Sequence, residues 1–255
     1  MSFNELINIV AKLRSPDGCP WDREQTRESL KPFLVEEFYE LIDALDEDST
    51  EAVKEELGDL LFQIVIQSQL SSEEGRFNIN DVVQGISEKL VRRHPHVFGG
   101  ASLDTPEQVI ERWQEYKKNE GKIYASAVDG VPKAMPALLR ASEIQKKATK
   151  VGFDWDRIED VFAKLDEEIK ELKEALDRKE YKEIEEELGD IFFVLVRISN
   201  FLNVNPEDSL KKTINKFYQR FGYIEQEATQ KGRKLKDMTL EEMEILWNEA
   251  KRKLL

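Results

Sequence analysis

A pattern of acidic residues occurs twice in this chain, and the repetition constrains the fold more than any other feature of the sequence. Each copy consists of a Glu-Glu-x-x-Glu group followed, after a spacer of constant length, by Glu-x-x-Asp. The ten residues are Glu36, Glu37, Glu40, Glu56 and Asp59, and then Glu167, Glu168, Glu171, Glu187 and Asp190. Corresponding residues lie 131 positions apart throughout. Because there are only two copies, this self-similarity predicts two tandem domains, not a solenoid.

The spacing within each copy is that of one helix face. Residues three or four positions apart share a side of an α-helix, so Glu37 and Glu40 are neighbours, and Glu56 lies beside Asp59. Like charges at this spacing destabilise a helix by about 0.2–0.5 kcal/mol per pair. The sequence has no Lys or Arg between residues 33 and 53 that would relieve this repulsion. The pattern favours a bound cation, since carboxylate oxygens are the ligands that Mg²⁺ selects.

A solvated acidic surface is the alternative explanation, because the chain has a net charge of −14. In the second copy the charge pattern alone is weaker evidence, since Lys164, Lys170 and Lys173 alternate with the acids. The repetition of the spacing argues against a surface that varies freely. A glycine also recurs inside the Glu-x-x-Asp group, as Gly58 and Gly189. Glycine is a poor helix residue, so its recurrence predicts the close approach of another helix or a ligand.

Helical periodicity runs through both halves, and the sequence predicts an all-α protein. The two acidic segments of each half are expected to form an antiparallel helical hairpin. We predict an N-terminal domain over residues 1–120, a linker over 121–136 and a C-terminal domain over 137–255. A third helix of the first half is expected to turn Val82, Val83, Ile86 and Leu90 inward. Trp21, which precedes the first acidic helix, is predicted to fill the core, with stacking on a base as the alternative.

Composition excludes several classes of protein. The single cysteine, Cys19, excludes an intrachain disulfide, and a reducing cytoplasm is therefore expected. The longest apolar run, around residues 60–66, is far short of the ~20 residues that a membrane span needs. The acidic balance disfavours non-specific binding of nucleic acid, because a polyanion would be repelled.

Basic and aromatic residues follow the acidic segments in both halves. The predicted substrate-binding residues of the first half are Lys89, Arg92, Arg93, Trp113, Lys117 and Lys118, and the second half has Asn215, Lys216, Arg220, Trp247 and Lys251 in a similar order. Cations near a helix C-terminus stabilise the helix dipole, which is one explanation for the first cluster. The other is that they bind phosphate oxygens opposite a metal. Carboxylates on facing helices, with cations and an aromatic nearby, indicate Mg²⁺-dependent phosphoanhydride chemistry.

The two complete acidic patterns resemble those of the MazG nucleoside triphosphate pyrophosphohydrolases, and the resemblance covers nearly the whole chain. Cys19-Pro-Trp-Asp22 with Gln25-Thr26, and Lys150-Val-Gly-Phe-Asp-Trp155, are also similar to segments typical of that family. The resemblance implies tandem all-α domains of four-helix type, a homodimer, and hydrolysis of an NTP or dNTP to a nucleoside monophosphate and pyrophosphate with Mg²⁺, for which Mn²⁺ could substitute.

The resemblance also assigns roles to individual residues. It implies that Glu37, Glu40, Glu56 and Asp59 bind metal in the first half, and Glu168, Glu171, Glu187 and Asp190 in the second. It also implies that the triphosphate and the base contact Lys216, Arg220, Trp247 and Lys251, with Asn215 beside them. Glu36 and Glu167, beside these tetrads, are predicted to be an additional ligand or the base that orients water. In some members of the family only the C-terminal half is active, whereas here both tetrads are complete.

Two alternatives remain open at this point. The N-terminal half could prefer small phosphoanhydrides, including pyrophosphate, because Arg92, Arg93, Lys117 and Lys118 favour compact polyanions. The chain could instead be a non-catalytic helical protein that senses nucleotides or docks a partner. The sequence does not specify the preferred base or sugar, since Trp113 and Trp247 would stack on any base.

Overall fold

Helices make up all the regular structure in residues 2–100, 105–109, 112 and 125–253, which are the residues that the computed structural model describes. This confirms the all-α prediction. The chain divides into two units, Met1–Lys122 and Ile123–Leu255. The exact domain and linker bounds given above stay a prediction. None of the described helices is long and apolar enough to cross a membrane.

The first unit is built on two long antiparallel helices. Its helices are α1 (Phe3–Arg14), α2 (Pro20–Glu24), α3 (Lys31–Asp46), α4 (Thr50–Glu73), α5 (Ile79–Arg93) and α6 (Pro95–Phe98), and residues 106–109 are also helical. Helix α4 packs against α3, α1 and α5. The core where these helices meet contains Val10, Leu30, Val65, Ile66, Leu70 and Ile79. Ser49 caps α4 by accepting a hydrogen bond from the Ala52 amide, and Pro32 lies in the first turn of α3.

The second unit repeats this hairpin. Its helices are α7 (Ala137–Thr149), α8 (Ile158–Arg178), α9 (Tyr181–Phe201), α10 (Pro206–Gln230) and α11 (Leu240–Lys253), with a short 3₁₀ helix at Leu235–Asp237. Helix α9 packs against α8 and α7, and α10 packs against α11. The buried apolar residues include Val161, Ala175, Val194, Val196, Ile224, Leu246 and Ala250.

The turns of the two hairpins have the same backbone geometry. Asp48 follows α3 with a φ of 52°, and Lys179 follows α8 with a φ of 59°. These residues are 131 positions apart, like the carboxylates. Left-handed backbone is uncommon outside glycine, so its recurrence at one position indicates that both turns reverse the chain in the same way. The common turn keeps the paired helices in the same register.

A buried arginine fixes the Trp-Asp segment in each unit. Arg14 of α1 pairs with Glu73 at 2.6 Å and donates to the backbone oxygen of Asp22. In the second unit Arg197 of α9 pairs with Asp154 at 2.6 Å. The two units therefore anchor equivalent segments with arginines from different helices.

Two sequence predictions about packing are wrong, and a third is wrong in part. Trp21 is 52% exposed, although its ring meets Phe33 edge to face at 5.8 Å, because the short helix α2 carries it to the rim of the core. Val82, Val83, Ile86 and Leu90 are 36–47% exposed, because only the beginning of α5, at Ile79, enters the core. A Cβ added at Gly58 or Gly189 would meet no atom of the described part of the chain within 4 Å, so no described helix approaches these glycines closely, and the approach of a ligand stays a prediction.

Candidate metal and nucleotide site

The hairpin of the first unit brings three carboxylates together. Glu37 projects from α3, and Glu56 and Asp59 project from α4. Each of the three offers an oxygen atom, and these atoms all lie within 4.8 Å of one another. The helical spacing that was visible in the sequence therefore produces one cluster between two facing helices.

The electrostatics of this cluster include the fourth predicted residue, Glu40. Partial burial raises the pKa of Glu37, as do the charges of Asp59, Glu40 and Glu56, while a hydrogen bond from Gln63 acts in the opposite direction. Desolvation raises the pKa of Glu56 too, followed by the charges of Glu40 and Asp59. The metal-free cluster is thus destabilised by its own negative charge, which a divalent cation would relieve.

The second hairpin builds the corresponding cluster from Glu168 and Glu171 of α8 and Glu187 of α9, again with oxygens within 4.8 Å of one another. Desolvation raises the pKa of Glu187, as do the charge of Glu171, a hydrogen bond to Glu168 and the charge of Asp190. All four predicted residues of this half therefore act on one site.

A lysine contacts the second cluster. The Nζ atom of Lys164 lies 2.7 Å from an oxygen of Glu168, whose side chain is 6% exposed, and 2.8 Å from an oxygen of Glu167. The hydrogen bonds to Glu167 and Glu168 raise the pKa of Lys164 well above its usual value, so the lysine is a cation at neutral pH. Its ammonium group supplies positive charge beside the second cluster.

The donor set in both clusters fits Mg²⁺ or Mn²⁺. Every candidate ligand atom is a carboxylate oxygen, and hard oxygen donors select these ions over softer metals. Glu37, Glu40, Glu56 and Asp59 would hold an ion in the first half, and Glu168, Glu171, Glu187 and Asp190 in the second. Glu36 is exposed on α3, and Glu167 is paired with Lys164, so both lie beside the clusters. Their predicted roles stay predictions.

The model of the MazG nucleotide pyrophosphohydrolase domain matches this chain over residues 25–98 and again over residues 157–223. The chain belongs to the MazG family. The two matches each contain one acidic hairpin, which confirms the prediction of tandem all-α MazG domains.

Three relatives match nearly the whole of this chain. A Thermotoga maritima protein named nucleoside triphosphate pyrophosphohydrolase/pyrophosphatase MazG is 47% identical over 250 residues, covering 98% of this chain and 95% of the relative. The nucleoside triphosphate pyrophosphohydrolase of Escherichia coli K12 is 39% identical over 257 residues, covering 98% and 97%. The uncharacterized protein YabN of Bacillus subtilis is 45% identical over 251 residues, covering 98% of this chain and 51% of its own length.

In the second half of this MazG protein, the structure joins two of the predicted nucleotide-binding residues. The guanidinium carbon of Arg220, on α10, lies 5.6 Å from the ring centroid of Trp247, on α11. Phe217 also meets Trp247, with ring centroids 5.3 Å apart. The three side chains form an aromatic and cationic cluster, which we call the Trp247 cluster. Asn215, Lys216 and Lys251 lie exposed on the same two helices.

In the first half, the described part of the predicted binding surface lies on α5. Lys89 and Arg92 are exposed near the end of this helix, and Arg93 is half-buried. Helix α5 packs against α4, which carries Glu56 and Asp59. Trp113, Lys117 and Lys118 lie outside the described residues.

Two residues near the carboxylates were missed as site residues in the sequence. Gln63, which is 4% exposed and hydrogen bonds Glu37, stood out only as a polar interruption in an apolar run. Lys164 was noted only as one of several alternating charges. Its spacing from Glu168 is i to i+4, which places the two on one helix face and could have identified the contact.

Proposed function

We propose that this MazG protein hydrolyses NTPs and dNTPs to nucleoside monophosphate and pyrophosphate, that the reaction depends on Mg²⁺, and that both halves are active. The observation that carries the proposal is the pair of carboxylate clusters, one in each hairpin, which share the equivalent residues Glu37/Glu168 and Glu56/Glu187. Family membership and the names of the full-length relatives in T. maritima and E. coli support the choice of substrate.

Different residues of the chain bind the metal, orient the attacking water and contact the phosphates. The four carboxylates of each tetrad hold the ion and fix its position. Glu36 or Glu167 orients the attacking water and accepts its proton. Lys216, Arg220 and Lys251 balance charge on the phosphates, and planar guanidinium groups suit phosphate oxygens. When bound, Mg²⁺ neutralises phosphate oxygens and stabilises the charge that develops on the leaving group.

The reaction breaks the bond between a phosphorus and the oxygen that bridges the α- and β-phosphates. Water supplies the replacement oxygen, and its fate depends on which phosphorus is attacked. Attack at the α-phosphorus leaves the new oxygen in the monophosphate, whereas attack at the β-phosphorus leaves it in pyrophosphate. Hydrolysis in ¹⁸O-labelled water, followed by mass spectrometry of both products, identifies the attacked atom.

The Trp247 cluster is suited to a nucleoside. Trp247 offers a flat face for a base, and Arg220 at 5.6 Å places a cation at its side. Stacking on an aromatic face discriminates poorly between bases, so a broad nucleotide range is expected. A panel of NTPs and dNTPs with Mg²⁺, with products resolved as NMP or NDP, tests both the range and the bond that is cleaved.

The decisive experiment removes ligands from one half at a time. Glu40→Gln with Glu56→Gln disables the first cluster, and Glu171→Gln with Glu187→Gln disables the second. Each pair should lower NMP release, and combining them should abolish it. Glu55→Gln and Glu186→Gln are matched controls, since these acids adjoin the tetrads at equivalent positions.

If neither pair changes turnover, the site assignment is wrong. If the unchanged protein releases no NMP from any nucleotide in the panel, the non-catalytic binding protein becomes the better explanation.

We also propose that the first half hydrolyses pyrophosphate. The name of the T. maritima relative includes the word pyrophosphatase. Lys89 and Arg92 are exposed on α5, which packs against α4. Phosphate release from pyrophosphate should persist in the Glu171→Gln/Glu187→Gln variant and be lost in the Glu40→Gln/Glu56→Gln variant. Active enzyme that releases no phosphate from pyrophosphate would remove this proposal.

A homodimer is part of the proposal, because α5 leaves four apolar side chains, Val82, Val83, Ile86 and Leu90, substantially exposed. A second copy of the chain would bury them. Sedimentation of the protein should give twice the chain mass, and Ile86→Glu should shift it to the monomer. A monomeric unchanged protein would contradict this part. The cytoplasmic location and the lack of nucleic-acid binding stay predictions.

A further inference from the structure

The two clusters differ at two positions that correspond under the 131-residue offset. Lys164 in α8 corresponds to Phe33 in α3, and Val194 in α9 corresponds to Gln63 in α4. Phe33 packs against the apolar core and the edge of Trp21. Lys164 instead reaches two carboxylates of its own helix. One cluster therefore has an ammonium group in contact with it, while the other has an aromatic ring and a neutral amide at the equivalent places.

We infer that Lys164 is an internal counter-cation of the second cluster. A divalent metal ion must displace Lys164 from Glu168 before the Glu168 carboxylate can bind the ion fully. The inference rests on the proposed metal sites. Its consequence is that the two halves of one chain bind the same ion with different affinity, the first half tightly and the second half more weakly.

The contacts of Glu168 support this role. Its side chain is almost entirely buried, so its oxygens have little access to water, and Lys164 lies 2.7 Å from one of them. A positive group at that distance competes with a second cation for the same lone pairs. Lys164 is itself about one-third exposed, so it has room to move away from the cluster when the metal enters. A partly exposed charge contact of this kind is expected to weaken metal binding by about tenfold.

The test measures metal binding directly, in the full-length chain and without nucleotide. Glu37→Gln with Glu56→Gln disables the first cluster, so the remaining Mn²⁺ uptake reports on the second. In that background, calorimetry should show that Lys164→Met tightens Mn²⁺ binding by about tenfold, whereas Lys164→Arg should restore the weaker binding.

A matched control separates this contact from a general change of charge. Lys170 lies on the same helix and pairs at 3.5 Å with Glu174, which is not a tetrad residue. Lys170→Met removes the same charge from α8 but should leave Mn²⁺ affinity within about twofold. Equal tightening by both substitutions would mean that the overall field, not the contact, sets the affinity, and would overturn the inference.

The reciprocal substitution tests the first cluster. With Glu171→Gln and Glu187→Gln disabling the second half, Phe33→Lys should weaken Mn²⁺ binding, and Phe33→Leu controls for lost packing. Circular dichroism verifies that each variant is helical, and the Lys164 series decides the question if Phe33→Lys does not fold. If Lys164→Met leaves Mn²⁺ binding unchanged, the inference is overturned and the proposed function is not affected. No Mn²⁺ uptake by the unchanged chain overturns the proposed function and the inference with it.

Discussion

The acidic hairpins α3–α4 and α8–α9 have the same backbone geometry at their turns. They differ in the residue at one position beside their carboxylates, which is Phe33 in the first and Lys164 in the second. Both reverse the chain through a left-handed residue at the same position, Asp48 or Lys179. Both place three carboxylates within 4.8 Å of one another. Among the described residues, a lysine contacts the carboxylates of the second hairpin, whereas Phe33 occupies the equivalent position in the first. The comparison shows that the two hairpins share the pairs Glu37/Glu168 and Glu56/Glu187 in their clusters, while the residue at the position of Phe33 and Lys164 has diverged.

Metal removal should have the largest effect, and it tests whether the two clusters bind metal with different affinity. A chelator should lower NMP release by at least about 100-fold, because the proposed chemistry needs the ion. Returning Mn²⁺ should restore activity in two phases, with the first half, where Phe33 occupies the position of Lys164, recovering at lower concentration. In the Glu171→Gln/Glu187→Gln variant the second phase should disappear. A single phase in the unchanged protein would mean that one half carries all activity or that both bind metal equally.

The buried arginines provide a second comparison, in stability. Arg197→Met should destabilise the second unit by about 2–3 kcal/mol, since it removes the buried guanidinium that pairs with Asp154, whose side chain is 22% exposed. Arg14→Met should cost less, because Glu73 is more exposed than Asp154 and is solvated more easily. Urea denaturation of each variant measures the difference. A larger loss for Arg14→Met would show that its hydrogen bond to the Asp22 backbone dominates.

The comparison also shows what sequence can and cannot predict. The helices, the tandem organisation and the meeting of Glu37 with Glu56 followed from spacing, because helical periodicity fixes which residues share a face. The exposure of Trp21 and of the α5 side chains did not follow, since burial depends on which helix packs over a residue. Lys164 illustrates a third case: its local spacing was informative, but its contact depends on the rotamer of a long, flexible side chain.

The glycines of the two carboxylate helices test whether anything approaches these helices in the working protein. A Cβ at Gly58 or Gly189 meets no atom within 4 Å. Gly58→Ala and Gly189→Ala should therefore each stabilise the protein by up to about 1 kcal/mol, through helix propensity alone. Thermal denaturation at low protein concentration measures this gain. A loss of stability, or a loss of NMP release despite the gain, would indicate that a second copy or the substrate occupies the space beside the glycine.

The smallest expected effect is a pH dependence that distinguishes the clusters. Burial and neighbouring carboxylates raise the pKa of Glu37 and Glu56 in the first cluster and of Glu187 in the second. A carboxyl group with a raised pKa in the folded state binds protons more tightly there than in the unfolded chain. Its contribution therefore makes the metal-free protein more stable as pH falls through the raised pKa towards the ordinary value of 4.5.

Other carboxylates act in the opposite direction, so the measurement must be a difference. Arg233 lowers the pKa of Glu242 to about 2, and Arg14 lowers that of Glu73. These two groups should respond little to Mg²⁺, because they are paired with arginines outside the clusters. We expect the free energy of unfolding without Mg²⁺ to increase, relative to that in saturating Mg²⁺, as the pH falls from about 7 to 5. Glu37→Gln with Glu56→Gln should remove more of this change than Glu187→Gln, because two of the three carboxyl groups with a raised pKa lie in the first cluster. The reverse order would place the greater charge repulsion in the half that contains Lys164.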